Sequence, residues 1–219
     1  MVPAVSGGRS LLPNEDTEFR IHLQPIDEPR RGPNRMHVDL TSAYPEQQGE
    51  TVERALRLGA RHLDVGQLPE EGHVVLADPE GNEFCVLPAG NGFTEGCGTI
   101  GAVSSDGTHA VGVFWSAALG WPLVWDQDEE TAIQSPLGGS KIAWGGPPVA
   151  PKLGKGRIHL DLVPAGGATI EQEVARLTSL GATPADIGQG NVAWVVMADP
   201  DGNEFCVLPP SFASPPARA

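Results

Sequence analysis

Three side chains in the last third of the chain carry atoms that ligate metals. His159 and Asp161 lie two residues apart in the stretch Arg157 to Leu162, and Cys206 follows Asn203-Glu204-Phe205. An imidazole nitrogen, a carboxylate oxygen and a thiolate are donors that Zn or Fe accepts, and a protein site normally supplies three or four of them. If Arg157 to Val163 is a strand, His159 and Asp161 share one face, because alternate side chains point the same way. The competing reading is plain packing: polar contacts for His159 and Asp161, and a small buried hydrophobe for Cys206. A second set is aromatic. The chain has five Trp and one Tyr, and Trp125, Trp144 and Trp194 fall on apparent strands, where one face would offer a flat apolar wall to an aromatic or extended ligand. Ordinary sheet core is the alternative for each. Trp115 falls on a helical stripe with Val111, Phe114 and Ala118 and reads as core.

The segments that must position these residues are written twice. Ala77 to Pro88 reads ADPEGNEFCVLP and Ala198 to Pro209 reads ADPDGNEFCVLP; upstream, RMHVDL at Arg35 returns as RIHLDL at Arg157. In the second copy, Arg157 to Val163 alternates as a half-buried strand. Ile170, Val174 and Leu177 then follow helical spacing, predicting a helix from about Ala168 to Leu180 that leaves through Gly181. A short strand is expected near Ala185 to Gly188. Val192 to Ala198 and Glu204 to Leu208 form a hairpin around Asp199-Pro200-Asp201-Gly202-Asn203. The order is βαβββ. A further pass of the same order lies between Gly98 and Pro148: a strand Thr99 to Ser104, a helix Ala110 to Leu119, and strands at Trp121 to Trp125, Thr131 to Ser135 and Ser140 to Trp144. The front copy lacks a counterpart for the Thr99 to Leu119 strand and helix. The expected division is therefore an incomplete N-terminal domain over 1–94, a complete one over 95–210 and a Pro/Ala-rich tail over 211–219. The missing edge is expected to be filled by a second subunit, giving a homodimer, or by other parts of the chain.

Composition narrows the class. Hydrophobic residues are 40% and charged residues 19% of the chain, a balance that folds. The net charge of −14 argues against nucleic acid or an anionic membrane as partner. Three cysteines, two of them at equivalent repeat positions, fit a reducing, cytoplasmic setting better than a disulfide framework. The N-terminal residues lack the basic and apolar pattern of a signal peptide, and no apolar run is long enough to span a bilayer. The Asp-Pro-Asp/Glu-Gly-Asn sentence has mainly structural physics: Asp accepts backbone N–H bonds, Pro fixes φ, and Gly tolerates a left-handed position. Lys152, Lys155 and Arg157 read as a solvated charge cluster. No dinucleotide fingerprint, P-loop or nucleophile elbow is present.

Taken together, Phe114-Trp115-Ser116-Ala117-Ala118-Leu119-Gly120-Trp121, the Arg-x-His-x-Asp-Leu strand, the Leu-Gly-Ala helix exit and Asp-Pro-Asp/Glu-Gly-Asn-Glu-Phe-Cys resemble the glyoxalase-like domains of the vicinal oxygen chelate superfamily. That superfamily includes glyoxalase I, bleomycin-resistance proteins and extradiol dioxygenases. The resemblance covers the back half fully and the front half from about Phe19 to Pro88. It implies an α+β fold of tandem βαβββ modules whose curled mixed sheets surround a cup, with helices on the outer face. It also implies a His near the start of a module's first strand and a Glu in its last strand as metal ligands. His159 matches the first position. At the second, three residues after the Gly-Asn turn, this chain has Cys206, and Cys85 in the front copy. Glu204 and Glu83 lie two positions earlier, about ~7 Å along the strand.

Loss of the carboxylate ligand favours a small-molecule binding protein of the bleomycin-resistance type, with an aromatic or apolar ligand contacted by Trp125, Trp144, His159, Asp161, Trp194 and Cys206 and no essential metal. The first alternative is a lyase, isomerase or dioxygenase using one divalent metal, Zn or Fe, on His159, Cys206 and Asp161. The second is an assembly module built on the front copy.

Overall fold

A computed structural model describes residues 2–3, 9–11 and 20–212; Phe19 and most of the expected tail, residues 213–219, lie outside this range. A small antiparallel sheet holds β1 (Val2–Pro3), β2 (Arg9–Leu11) and β3 (Ile21–Leu23). Three βαβββ passes follow. The first is β4 (Met36–Leu40), α1 (Pro45–Arg57), β5 (Arg61–His62), β6 (Val74–Ala77) and β7 (Glu83–Val86). The second is β8 (Ile100–Ser105), α2 (His109–Leu119), β9 (Leu123–Gln127), β10 (Glu130–Gln134) and β11 (Lys141–Trp144). The third is β12 (Leu160–Leu162), α3 (Ile170–Leu180), β13 (Thr183–Pro184), β14 (Val195–Ala198) and β15 (Glu204–Val207).

The backbone divides into two compact units, one of residues 1–33, 38–103 and 134–141, the other of 34–37, 104–133 and 142–219. In the first unit the strand order is β5-β6-β7-β4, followed by the opening residues of β8. In the second, the end of β8 is followed by β11-β10-β9, and a separate sheet has the order β12-β15-β14-β13. The sheets are mixed: β4 pairs β7 and β12 pairs β15 in parallel, while the hairpins β6–β7 and β14–β15 are antiparallel. They are also open, which corrects the expected curled cup. Their orders run out at β5, β9, β12 and β13 instead of closing. Two of these terminal strands are only two residues long, and Pro184 in β13 has no N–H with which to extend a ladder.

Helix α3 begins and ends where its sequence says. Thr169 accepts the Gln172 N–H at 3.3 Å and Gln172 accepts the Thr169 N–H at 2.9 Å, a reciprocal capping box. At the far end Gly181 sits at φ +118° and donates to Leu177 and Thr178. The short strand after the helix falls at Thr183–Pro184 instead of 185–188. Past Ala185, the Asp186 and Gln189 side chains take the N–H groups of Gly188 and Ile187 at 2.9 and 2.8 Å, and such local bonds compete with a ladder.

The second unit has the larger core. Val111, Phe114, Trp115 and Ala118 of α2 pack with Ile133, Ile142, Trp144, Leu162, Leu177, Met197, Phe205 and Val207. Trp115 stacks on Trp144 at 6.4 Å and meets Phe205 edge-on at 5.0 Å, while its indole N–H donates to the buried Asp199 carboxylate at 3.1 Å. Helix and sheet approach closely because residue 112 is Gly: a Cβ there would lie 1.9 Å from Thr131 Oγ1. In the first unit Val75, Cys85 and Leu87 form a smaller cluster with Leu63.

Candidate metal centre

Each repeated sentence folds into the same turn. The Asp199 carboxylate accepts the N–H groups of Asp201 and Asn203 at 3.0 and 2.9 Å and the Asn203 amide at 3.1 Å; Asp78 does the same for Glu80 and Asn82 at 2.9, 2.8 and 2.8 Å. Burial raises the pKa of Asp199 and these bonds oppose the rise. The turn therefore serves structure, and what it delivers is the strand that leaves it.

That strand, β15, lies parallel to β12 in a register that sets Asp161 opposite Cys206. His159 immediately precedes β12. One donor atom from each of His159, Asp161 and Cys206 lies within 4.8 Å of the other two, and His159 Nε2 is 3.2 Å from Asp161 Oδ1. Donors around a tetrahedral Zn stand roughly 3.4–3.8 Å apart, so a modest inward movement completes three ligands. Cys206 is buried, whereas the His159 and Asp161 side chains are 37% and 29% exposed. One side of the cluster is thus accessible. The Asp161 carboxylate first, and Cys206 second, raise the His159 pKa to about 10, while burial works against them.

The front copy repeats the arrangement. Strand β4 lies parallel to β7 with Asp39 opposite Cys85, and donors of His37, Asp39 and Cys85 also fall within 4.8 Å of one another. Here Asp39 and Cys85 are each 7% exposed. Burial first, then Asp39, pushes the Cys85 thiol up to about 12. The triplet His37, Asp39 and Cys85 was not singled out from the sequence. Transferring the back triplet through the repeat offset finds it at once.

The expected ligand-binding residues separate by environment. Trp144 is 1% exposed and stacked in the core. Trp125, on β9, and Trp194, just before β14, are half-buried. The two Glu residues next to the turns are held by cations: Glu204, buried, pairs with Lys152 and accepts the Gly156 N–H at 3.2 Å, and Glu83 pairs with Arg30. Lys152 is accordingly an anchor for β15, where the sequence suggested a solvated charge. All three cysteines are free, and among the described residues no helix is long and apolar enough to cross a membrane.

The donor set suits the metal that the fold family implies. One sulfur, one nitrogen and one oxygen favour a borderline ion such as Zn, Co or Fe over hard, all-oxygen Mg or Ca.

A family model described as a glyoxalase-like domain matches residues 3–87 and 102–208. Glyoxalase I from Zea mays is similar in structure at 14% identity over 88% of this chain and 74% of that one, with a TM-score of 0.57. Its V278E mutant gives 13% identity over the same shares and a TM-score of 0.52. A glyoxalase/bleomycin resistance protein/dioxygenase family enzyme from Burkholderia phytofirmans PsJN matches 48% of this chain and 92% of its own at 15% identity, with a TM-score of 0.36. No curated protein matches the sequence. At these identities the likeness to solved structures is one of fold, and with the family model matching most of its length the chain belongs to the glyoxalase-like domain family, within the vicinal oxygen chelate superfamily.

Proposed function

We propose that the chain is a divalent-metal-dependent enzyme of lyase or isomerase type acting on a small organic molecule, with His159, Asp161 and Cys206 as the metal ligands. The observation that carries this reading is the convergence of the three donor atoms within 4.8 Å on adjacent parallel strands. The similar structure named glyoxalase I makes catalysis a natural expectation. A bound divalent cation supplies a Lewis acid that polarises an oxygen of the ligand. The chain's own residues do the rest. Asp161 orients His159 through their 3.2 Å contact, Lys152 and Glu204 fix the strand that carries Cys206, and the exposed side of the cluster admits the ligand. Trp125 and Trp194, half-buried, are proposed to contact its apolar part, whereas Trp144, buried against Trp115, is left to the core. The single imidazole also distinguishes this set from the two-His, one-carboxylate arrangement of iron oxygenases, which favours lyase or isomerase chemistry over dioxygenation.

A metal-free binding protein is the weaker alternative: the His159–Asp161 contact accounts for two of the side chains without a metal, but the three donors together are a set that a borderline ion takes. Quenching of tryptophan fluorescence by a panel of small carbonyl and aromatic compounds separates the two. Binding at least tenfold tighter to Zn-loaded than to metal-free protein is expected, with the gain lost in Cys206→Ser; equal affinities in both forms would remove the metal from the function. A homodimer is part of the same proposal, supported by the exposed Leu58, Val65 and Leu68 of the first unit.

A further inference from the structure

We infer that two copies of this chain join edge to edge through β12, each β12 running antiparallel to that of the other copy across a two-fold axis. The inference rests on the homodimer reading above and names the surface that would carry it.

The repeated segments differ at one edge. In the first unit the order is β5-β6-β7-β4 and the opening residues of β8 follow; in the back sheet the equivalent strands run β13-β14-β15-β12, and there the order ends. The strands concerned are close in sequence, MHVDL in β4 and IHLDL ending in β12. A strand with a neighbour on both sides in one copy thus has one neighbour in the other.

Hydrogen bonds show what the edge offers. Leu40 accepts the Leu87 N–H at 2.8 Å and Leu162 accepts the Leu208 N–H at 2.7 Å, so both strands meet their parallel neighbour in the same way. The backbone groups of Asp161, between Leu160 and Leu162, then point to the opposite edge. At that edge of the front copy Thr41 donates its N–H to Thr99 at 3.0 Å. The matching Val163 N–H has no hydrogen bond among the described residues.

The other terminal strands are poorer templates. β5 and β13 have two residues each, β13 contains Pro184, and the ladder of β9 breaks register between Ala132 and Ile133 of β10. Short strands, Pro and bulges blunt an edge. β12 is short too, at three residues, but it holds no Pro and its ladder to β15 is regular.

The occupant follows from the first strands of the passes, β4, β8 and β12. β4 and the opening of β8 are neighbours, and β12 is left over among the described residues. A second copy brings one more strand of the same kind, and pairing β12 with itself closes under a two-fold axis. Asp161 would then place its backbone in the shared ladder and its carboxylate in the cluster with His159 and Cys206.

The test is sedimentation velocity of the full chain, wild type against Val163→Pro, beside amide hydrogen exchange of the wild type at high and low concentration. Proline at 163 removes the edge N–H and sets a ring in the path of an incoming strand, while the pairing of β12 with β15 stays. The inference expects a two-chain species in the wild type and a single chain in Val163→Pro with unchanged near-ultraviolet dichroism. It also expects the wild-type Asp161 and Val163 amides to exchange about tenfold slower where the two-chain form prevails than after dilution, with Leu162 alike in both. The exchange measurement decides the matter if Val163→Pro does not fold. A two-chain species that survives Val163→Pro, or amides that exchange equally at both concentrations of a dissociating dimer, overturns the edge contact and leaves the homodimer in place. A single-chain wild type at every concentration overturns both.

Discussion

A proton and a metal ion compete for His159. In the metal-free protein the imidazolium sits between Asp161 and Cys206 and keeps its proton up to about 10. The shift is upward from the ordinary value of about 6.5, so the stability it contributes is fully present below about pH 6.5 and disappears as pH rises through about 10. Melting of metal-free wild type and His159→Gln across that interval should show the wild-type advantage shrinking as pH increases; an advantage that grows with pH would contradict the ion pair. With metal present the direction reverses for binding, since the imidazole must lose its proton to ligate. Of the three donors, His159 was legible by residue type, although the strand expected from Arg157 begins only at Leu160 and His159 immediately precedes it. Cys206 was harder to judge, because a Cys in place of a family Glu reads equally as a lost ligand or a replaced one. Only the parallel register, which sets it opposite Asp161, decides that it faces the other two.

Among the elements, α2 depends on a residue ninety-three positions away. Thr108 opens the helix without a side-chain cap of its own. Instead the Asp201 carboxylate accepts the Thr108 N–H at 2.6 Å and its hydroxyl at 3.1 Å. A carboxylate at a helix N-terminus satisfies an orphan donor and complements the dipole. Asp201→Ala should cost about 1 kcal/mol, within the range known for lost caps, and lower the melting temperature by a few degrees. An unchanged melting curve would show that solvent replaces the cap. The helices and hairpins were readable because apolar spacing and turn residues are local signals. The short strand β13 was misplaced because side chains after it bind backbone groups, a choice set by geometry that spacing does not encode. Likewise, Lys152 looked solvated in sequence, and only its approach to the buried Glu204 shows it to be an anchor.

For the molecule as a whole, the duplication revealed the family but overstated the curvature of its sheets. Repeated motifs specify strand order and pairing, whereas closure depends on the lengths and hydrogen-bonding capacity of the terminal strands, and here β5 and β13 have two residues each and β13 includes Pro184. If the exposed Leu58, Val65 and Leu68 take part in a homodimer, sedimentation velocity should find a two-chain species that dissociates on dilution; a single-chain species at every concentration would remove that part of the proposal. The central claim is the metal at the back cluster. It is tested most directly by anomalous diffraction at the Zn edge from crystals of the full chain grown with Zn(II). The account predicts a strong peak bonded to His159, Asp161 and Cys206, at about 2.0–2.3 Å from each donor atom. A structure with saturating Zn(II) in which these three side chains remain packed on one another, with no peak among them, would contradict it.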